Sequence, residues 1–175
     1  ATGTYYPDEG AGYTDNSRAS TFYIPDGRVV LGGYEGLTGD TLAERNWACN
    51  LTTLSGNIDQ VGGNAGNSYN VVEFNNAGAS TLLDGFIIEG GNADGAGNSG
   101  NSNAHGGGIN NSGNSGISNP TVSNCRISGN YASGYGGGIG VSSGSITLIN
   151  CIISGNSDVI GNIGISTIYL INCTA

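Results

Sequence analysis

Apolar residues in the second half of the chain recur in short alternating runs. Across Ser145–Asn156, Ile146 and Leu148 alternate with Thr147 and Ile149, and the run turns at Ser154-Gly155-Asn156. β-Branched side chains, a length of a few residues and Gly/Asn punctuation predict a strand. The rhythm returns at Ile168–Cys173, where Ile168 and Leu170 fall 22 residues after Ile146 and Leu148. Upstream, Thr81–Gly91 repeats it with Ile88 at the position of Ile127 and Ile153, and Leu54 holds that position earlier still. Equal offsets predict that each turn of chain sets the same side chain above its predecessor. Helix is nearly absent: only Leu42–Trp47 reads as a turn or two, with Thr41 as its cap.

The runs carry two recurring phrases. Asn-Cys-Arg-Ile-Ser-Gly-Asn at Asn124–Asn130 returns as Asn-Cys-Ile-Ile-Ser-Gly-Asn at Asn150–Asn156, and a third copy begins at Asn172. Gly-Gly-Gly-Ile occurs at Gly106–Ile109 and at Gly136–Ile139. Cys125, Cys151 and Cys173 follow one another at steps of 26 and 22 residues, a period that signals a solenoid. The expected fold is all-β, a parallel β-helix forming one domain over 1–175, with about five to seven coils. Ile127 and Ile153 should stack inward, and Asn130 and Asn156 should stand at a turn. Gly and Asn suit such turns because they tolerate positive φ. Two readings of Asn57, Asn130 and Asn156 stand side by side: simple turn punctuation, or a ladder of stacked amides. Residues 1–30 read as an irregular first coil or a cap. Residues 90–107, with no aliphatic side chain larger than Ala, read as a flexible surface insertion.

Charge narrows the partners. The chain has four Arg, no Lys and a net charge of −9, so it lacks the basic stripe that nucleic acid requires. No stretch approaches the roughly 20 apolar residues of a membrane span. The sequence starts at Ala1 without a Met and stops inside a repeat phrase, so it reads as a piece of a longer parent with an unfinished last coil. Over Ile163–Ala175 no charge and no Pro guards that strand edge, which should continue into further coils or stack on another copy. A surface of Asn, Ser, Thr and Gly suits an extracellular protein.

The paired Gly-Gly-Gly-Ile and Cys-x-Ile-Ser-Gly-Asn phrases resemble the repeats of right-handed parallel β-helix surface proteins. Ile127–Asn130 and Ile153–Asn156 stand where the chlamydial polymorphic outer-membrane proteins carry Phe-x-x-Asn. Val30–Gly36, Glu44–Trp47 and Leu51–Asn57 are similar to the opening coils of large Bacteroidetes β-helix proteins. The resemblance implies a right-handed β-helix displayed on a bacterial surface, with an adhesive or structural role.

Chemistry-bearing residues are sparse. Cys125, Cys151 and Cys173 share one register, where parallel side chains point the same way, and read as buried free thiols. His105-Gly-Gly-Gly lacks the Gly-x-Ser-x-Gly elbow that an esterase needs. Polysaccharide lyases and hydrolases need converging carboxylates, and here the acids are scattered. Asp84, Glu89 and Asp94 are weak candidates for calcium, without the spacing of a calcium loop. Tyr131, Tyr135 and Tyr169 are candidate sugar platforms, and a glycan or protein ligand is expected to meet the surface. The expected role is non-catalytic: a stalk, adhesin or fibre component with no cofactor. The alternative is a carbohydrate-active β-helix whose catalytic coils lie elsewhere in the parent.

Overall fold

The computed structural model describes residues 1–10, 12–37, 40–96, 102–113, 118–162 and 166–175. Its strands are short, and the chain lays them down in repeated passes. The first pass gives β1 (Gly3–Tyr5), β2 (Phe22–Ile24) and β3 (Val29–Leu31). The second gives β4 (Thr52–Ser55), β5 (Val72–Asn75) and β6 (Leu82–Asp84). The third gives β7 (Ile87–Glu89), β8 (Asn92–Ala93), β9 (Ile109–Ser112) and β10 (Thr121–Ser123). The fourth gives β11 (Arg126–Ser128), β12 (Tyr131–Ala132), β13 (Ile139–Val141) and β14 (Gly144–Ile149). The last gives β15 (Ile152–Ser154), β16 (Ile160–Asn162) and β17 (Ser166–Ile171).

Hydrogen bonding sorts them into three five-stranded sheets, β1-β4-β7-β11-β15, β2-β5-β9-β13-β16 and β3-β6-β10-β14-β17, with β8 and β12 as a separate pair. Among the described residues every strand pairing is parallel. The protein is therefore all-β, built of parallel sheets. Residues 3–31 supply the first strand of each five-stranded sheet. No helix among the described residues is long and apolar enough to cross a membrane. The Leu42–Glu44 segment forms one 3-10 turn, with the Thr41 N–H and hydroxyl both donating to Glu44 Oε2.

Register makes the core. In the first sheet Tyr5, Leu54, Ile88, Ile127 and Ile153 are successive partners. The second sheet aligns Val72, Ile109, Ile139 and Ile160, and the third aligns Val30, Leu83, Val122, Leu148 and Leu170. Apart from the exposed Tyr5 and Leu170 at their ends, these columns meet in one apolar cluster with Cys125 and Cys151, and Ile88, Ile127, Ile109, Ile139 and Leu148 are fully enclosed. Removing apolar surface from water at roughly 25 cal/mol per Å² is what holds the passes together.

The corners separate two jobs that the Asn phrases appeared to share. From the third sheet to the first, the chain turns through Gly85, Asn124, Asn150 and Asn172, all at positive φ between 51° and 82°. Within the repeated phrase, the Asn that takes the left-handed conformation is the one before the Cys. In the Ser-Gly-Asn phrase that conformation falls on Gly129 (φ 68°) and Gly155 (φ 66°), not on Asn130 or Asn156.

Asn130 instead is 2% exposed and acts as a staple between passes. Its Oδ1 accepts from Gly91 N–H at 2.9 Å, and its Nδ2 donates to Ile88 O and to Asn156 Oδ1, both at 3.1 Å. Asn156 Oδ1 also accepts from Asn130 N–H at 2.9 Å, and Asn156 Nδ2 donates to Ile127 O at 3.0 Å. Asn130 and Asn156 thus build the amide ladder, while Asn57 takes no part in it.

The flanks of 90–107 are not a surface excursion. Asn92–Ala93 is strand β8, Ala93 and Ala104 are buried, and Asn92 Nδ2 donates to Asn64 O at 2.8 Å. Small side chains there are the means of close packing: a Cβ on Gly91 would sit 1.9 Å from Gly107 O. Residues 97–101 lie outside the described residues, as do 163–165 before β17.

Candidate functional site

The segment between β3 and β4 carries no repeat phrase, and it builds a feature with the shape of a binding site. Residues 45–50 strap across the corner where the third sheet turns into the first. Arg45 anchors the strap through Gly32 O and through the Asp84 carboxylate and carbonyl, the last at 2.9 Å. Asn46 N–H donates to Gly33 O at 2.8 Å, while Asn46 Oδ1 accepts from the N–H groups of Ala48 and Cys49. Two glycines at positive φ allow the close approach. A Cβ on Gly33 would lie 2.7 Å from the Trp47 backbone, and one on Gly85 would lie 2.8 Å from Trp47 Cβ.

The strap holds Trp47, the only tryptophan, at the edge of a groove of about 310 Å³. That volume lies at the small end of ligand clefts, roughly 300–1,000 Å³. Buried Phe86 and Cys125 form part of the lining. The outward residues of the first sheet line it too: Ile87, Arg126 and Ile152 are successive register partners. Trp47 is 42% exposed and Ile152 51%, an unusual outlay of apolar surface in one place.

The polar side of the groove is wired back to the anchor. Asp84 is buried, and its carboxylate is shared by Arg45, the Ser123 hydroxyl and Asn124 Nδ2 (2.7 Å). Asn124 Oδ1 in turn accepts from Asn150 Nδ2 at 3.3 Å. This chain fixes which way the Asn150 amide faces, and Asn150 itself lines the groove. Arg126 is exposed and has no carboxylate within ion-pair distance among the described residues. Among the described residues no acidic side chain lines the groove.

The acids expected at a calcium site are dispersed. Asp84 is tied up as above, and Asp94 pairs with Arg18 at 2.6 Å, itself stacked 4.2 Å over the Tyr69 ring. Glu89 is exposed on β7, opposite Ser55 and Ser128. No three His, Cys, Asp or Glu side chains among the described residues are grouped to hold a metal.

Cys125, Cys151 and Cys173 do share a column as free thiols, and Cys49 is a free exposed one. Burial pushes the Cys125 thiol well up, and pushes Cys151 up to about 11, with the neighbouring thiol of the next pass adding to each. Such thiols are unreactive space-fillers that accept N–H bonds: Phe86 N–H reaches Cys125 Sγ at 3.4 Å, and Cys151 N–H reaches Cys173 Sγ at 3.3 Å.

His105 is not in a loose loop. It is 6% exposed, stacks on Tyr135 with ring centroids 5.3 Å apart, and accepts the Tyr135 N–H at Nδ1 (3.0 Å). Of the tyrosines read as candidate sugar platforms, Tyr131 lies on β12, Tyr135 stacks on His105, and Tyr169 lies on β17. Trp47 and Arg126 are the residues that sequence patterns passed over. The available signal was Arg126 itself, the one place where Asn-Cys-Ile-Ile becomes Asn-Cys-Arg-Ile. Compared with known proteins, the chain matches no family model, no curated protein and no solved structure.

Proposed function

We propose that this chain is a right-handed parallel β-helix segment, similar to the polymorphic outer-membrane and Bacteroidetes surface repeats, serving as a non-catalytic structural and adhesive module. On this reading it works outside the cell or on a bacterial surface. It associates end to end with copies of itself through its sheet edges, and presents its flank to a glycan or protein ligand. One observation carries the reading: the chain visits the three parallel sheets in the same order on each pass, in fixed register. Parallel strands joined by crossovers wind right-handed in about 98% of cases, which supports the hand.

The dispersal of carboxylates supports the non-catalytic half. Glycoside hydrolysis needs two acids about 5–9 Å apart across one bond, each free to move a proton. Asp84 and Asp94 are held in separate ion pairs instead. Two measurements test the proposal. An experimental structure should give the right-handed winding, and a left-handed one overturns it. Incubation with polygalacturonate, alginate and chitin oligomers, with and without calcium, should release no new chain ends. Turnover abolished by replacing a single carboxylate would overturn the non-catalytic reading.

A further inference from the structure

Building on the adhesive reading, we propose that the groove beneath Trp47 binds an acidic saccharide, with the indole covering a sugar ring, Arg126 pairing with its carboxylate and Asn150 bonding its hydroxyls. Three features select that chemistry. A pyranose has an apolar C–H face and a polar rim, and the groove offers an exposed indole beside Ile152, with amide groups at its edge. The amide of Asn150 is oriented through Asn124 and Asp84 before any ligand arrives, which lowers the ordering cost of binding.

Charge supplies the third feature. The chain carries −9 overall, yet this groove holds an arginine free of ion pairs and no acid in its lining. The nearby Asp84 carboxylate is neutralised by Arg45, which leaves Arg126 as the charged side chain in the lining, and at physiological salt the field of more distant acids fades over about 8 Å. A guanidinium meets a carboxylate in paired N–H···O bonds, which makes it the suited partner for a uronic acid.

An extended peptide fits less well. It would need free backbone donors and acceptors, and along this face they are spent between passes: Arg126 N–H donates to Phe86 O at 2.9 Å and Ile152 N–H to Cys125 O at 3.0 Å. Nucleic acid would need many such cations, and here there is one.

Trp47 is the only tryptophan, so its fluorescence reports on the groove alone. The probes are galacturonate and mannuronate hexamers and their fully methyl-esterified forms, read by Trp47 fluorescence and by calorimetry. The free acid of at least one hexamer should bind and shift the emission, with its ester weaker by about tenfold, the scale of one charge-assisted bond. Arg126→Gln should erase the difference between acid and ester. Trp47→Ala, read by calorimetry, should weaken both, while Arg28→Gln should change neither. Failure of both acid hexamers to bind overturns the groove proposal and leaves the adhesive module intact for other ligands. Binding that survives unchanged in Trp47→Ala and Arg126→Gln also overturns it. Binding lost in those variants, together with cleavage of the hexamer, would uphold the groove and overturn the non-catalytic reading.

Discussion

Asn130→Ala should be among the most damaging single truncations available outside the apolar columns. The side chain is 2% exposed, and its amide occupies a position where water has no ready access. Removing it strips the buried Gly91 N–H of its 2.9 Å acceptor, and takes a donor from Ile88 O and from Asn156 Oδ1. Each buried group left unpaired costs about 1–3 kcal/mol, so the total should fall near 2–4 kcal/mol after partial relaxation. Asn156→Ala removes fewer bonds from a half-buried site that water can reach, and should cost about 1 kcal/mol. Asn130→Asp gives the sharper test. One carboxylate oxygen still accepts from Gly91 N–H, but the other faces Ile88 O, Ser128 O and Asn156 Oδ1, all of them acceptors. The folded state would hold that acid protonated beyond its unfolded pKa of about 3.9, so the variant's stability should fall as pH rises through that value. Urea titration followed by far-UV circular dichroism measures all three variants. Equal costs for Asn130→Ala and Asn156→Ala, or an Asn130→Asp stability that climbs with pH from 4 upward, would refute the staple.

Other outcomes follow from the same geometry. Ile153→Asp places an unpaired charge in the first-sheet column and should cost about 4 kcal/mol or more, read as lost protease resistance of the last passes. Gly85→Ala sets a methyl against Arg45 and Trp47 Cβ at a φ of 82°; it should dislodge the strap, red-shift Trp47 emission and weaken groove ligands while the sheets keep their circular dichroism. In a thiol-labelling assay at neutral pH, Cys49 should react promptly, and Cys125 and Cys151 only after unfolding. Because burial raises the Cys151 thiol from 9.0 to about 11, the unfolded chain gives up that proton first, and stability should decline as pH rises from 9 towards 11.

The apolar columns were legible because spacing alone encodes them. Equal offsets of 22 residues, from Ile146 to Ile168 and from Leu148 to Leu170, become strand partners when parallel passes keep register. The turn chemistry was legible only in kind. Asn and Gly both mark corners, but which of them takes positive φ depends on backbone geometry, and Asn130 was freed for hydrogen bonding because Gly129 makes the bend. The groove was hidden for a different reason. Trp47 lies in a segment with no repeat, and its position depends on Arg45 reaching Asp84, residues 39 apart. His105 was misplaced because small, polar neighbours look like a loop in sequence while permitting close packing in space.

The three large sheets have a mechanical consequence. Each strand is hydrogen-bonded only to strands of the passes next to it, so the backbone bonds run along the stack while the chain runs across it. Tension along the stack therefore loads the bonds of one pass at a time, in opening rather than in shear. Such a body should yield by peeling, pass after pass at modest and similar forces, and lengthen in steps instead of snapping. The Asn130 and Asn156 amides tie the β7, β11 and β15 passes by side chain as well as by backbone, so the steps that separate these three are where a pulled chain should pause.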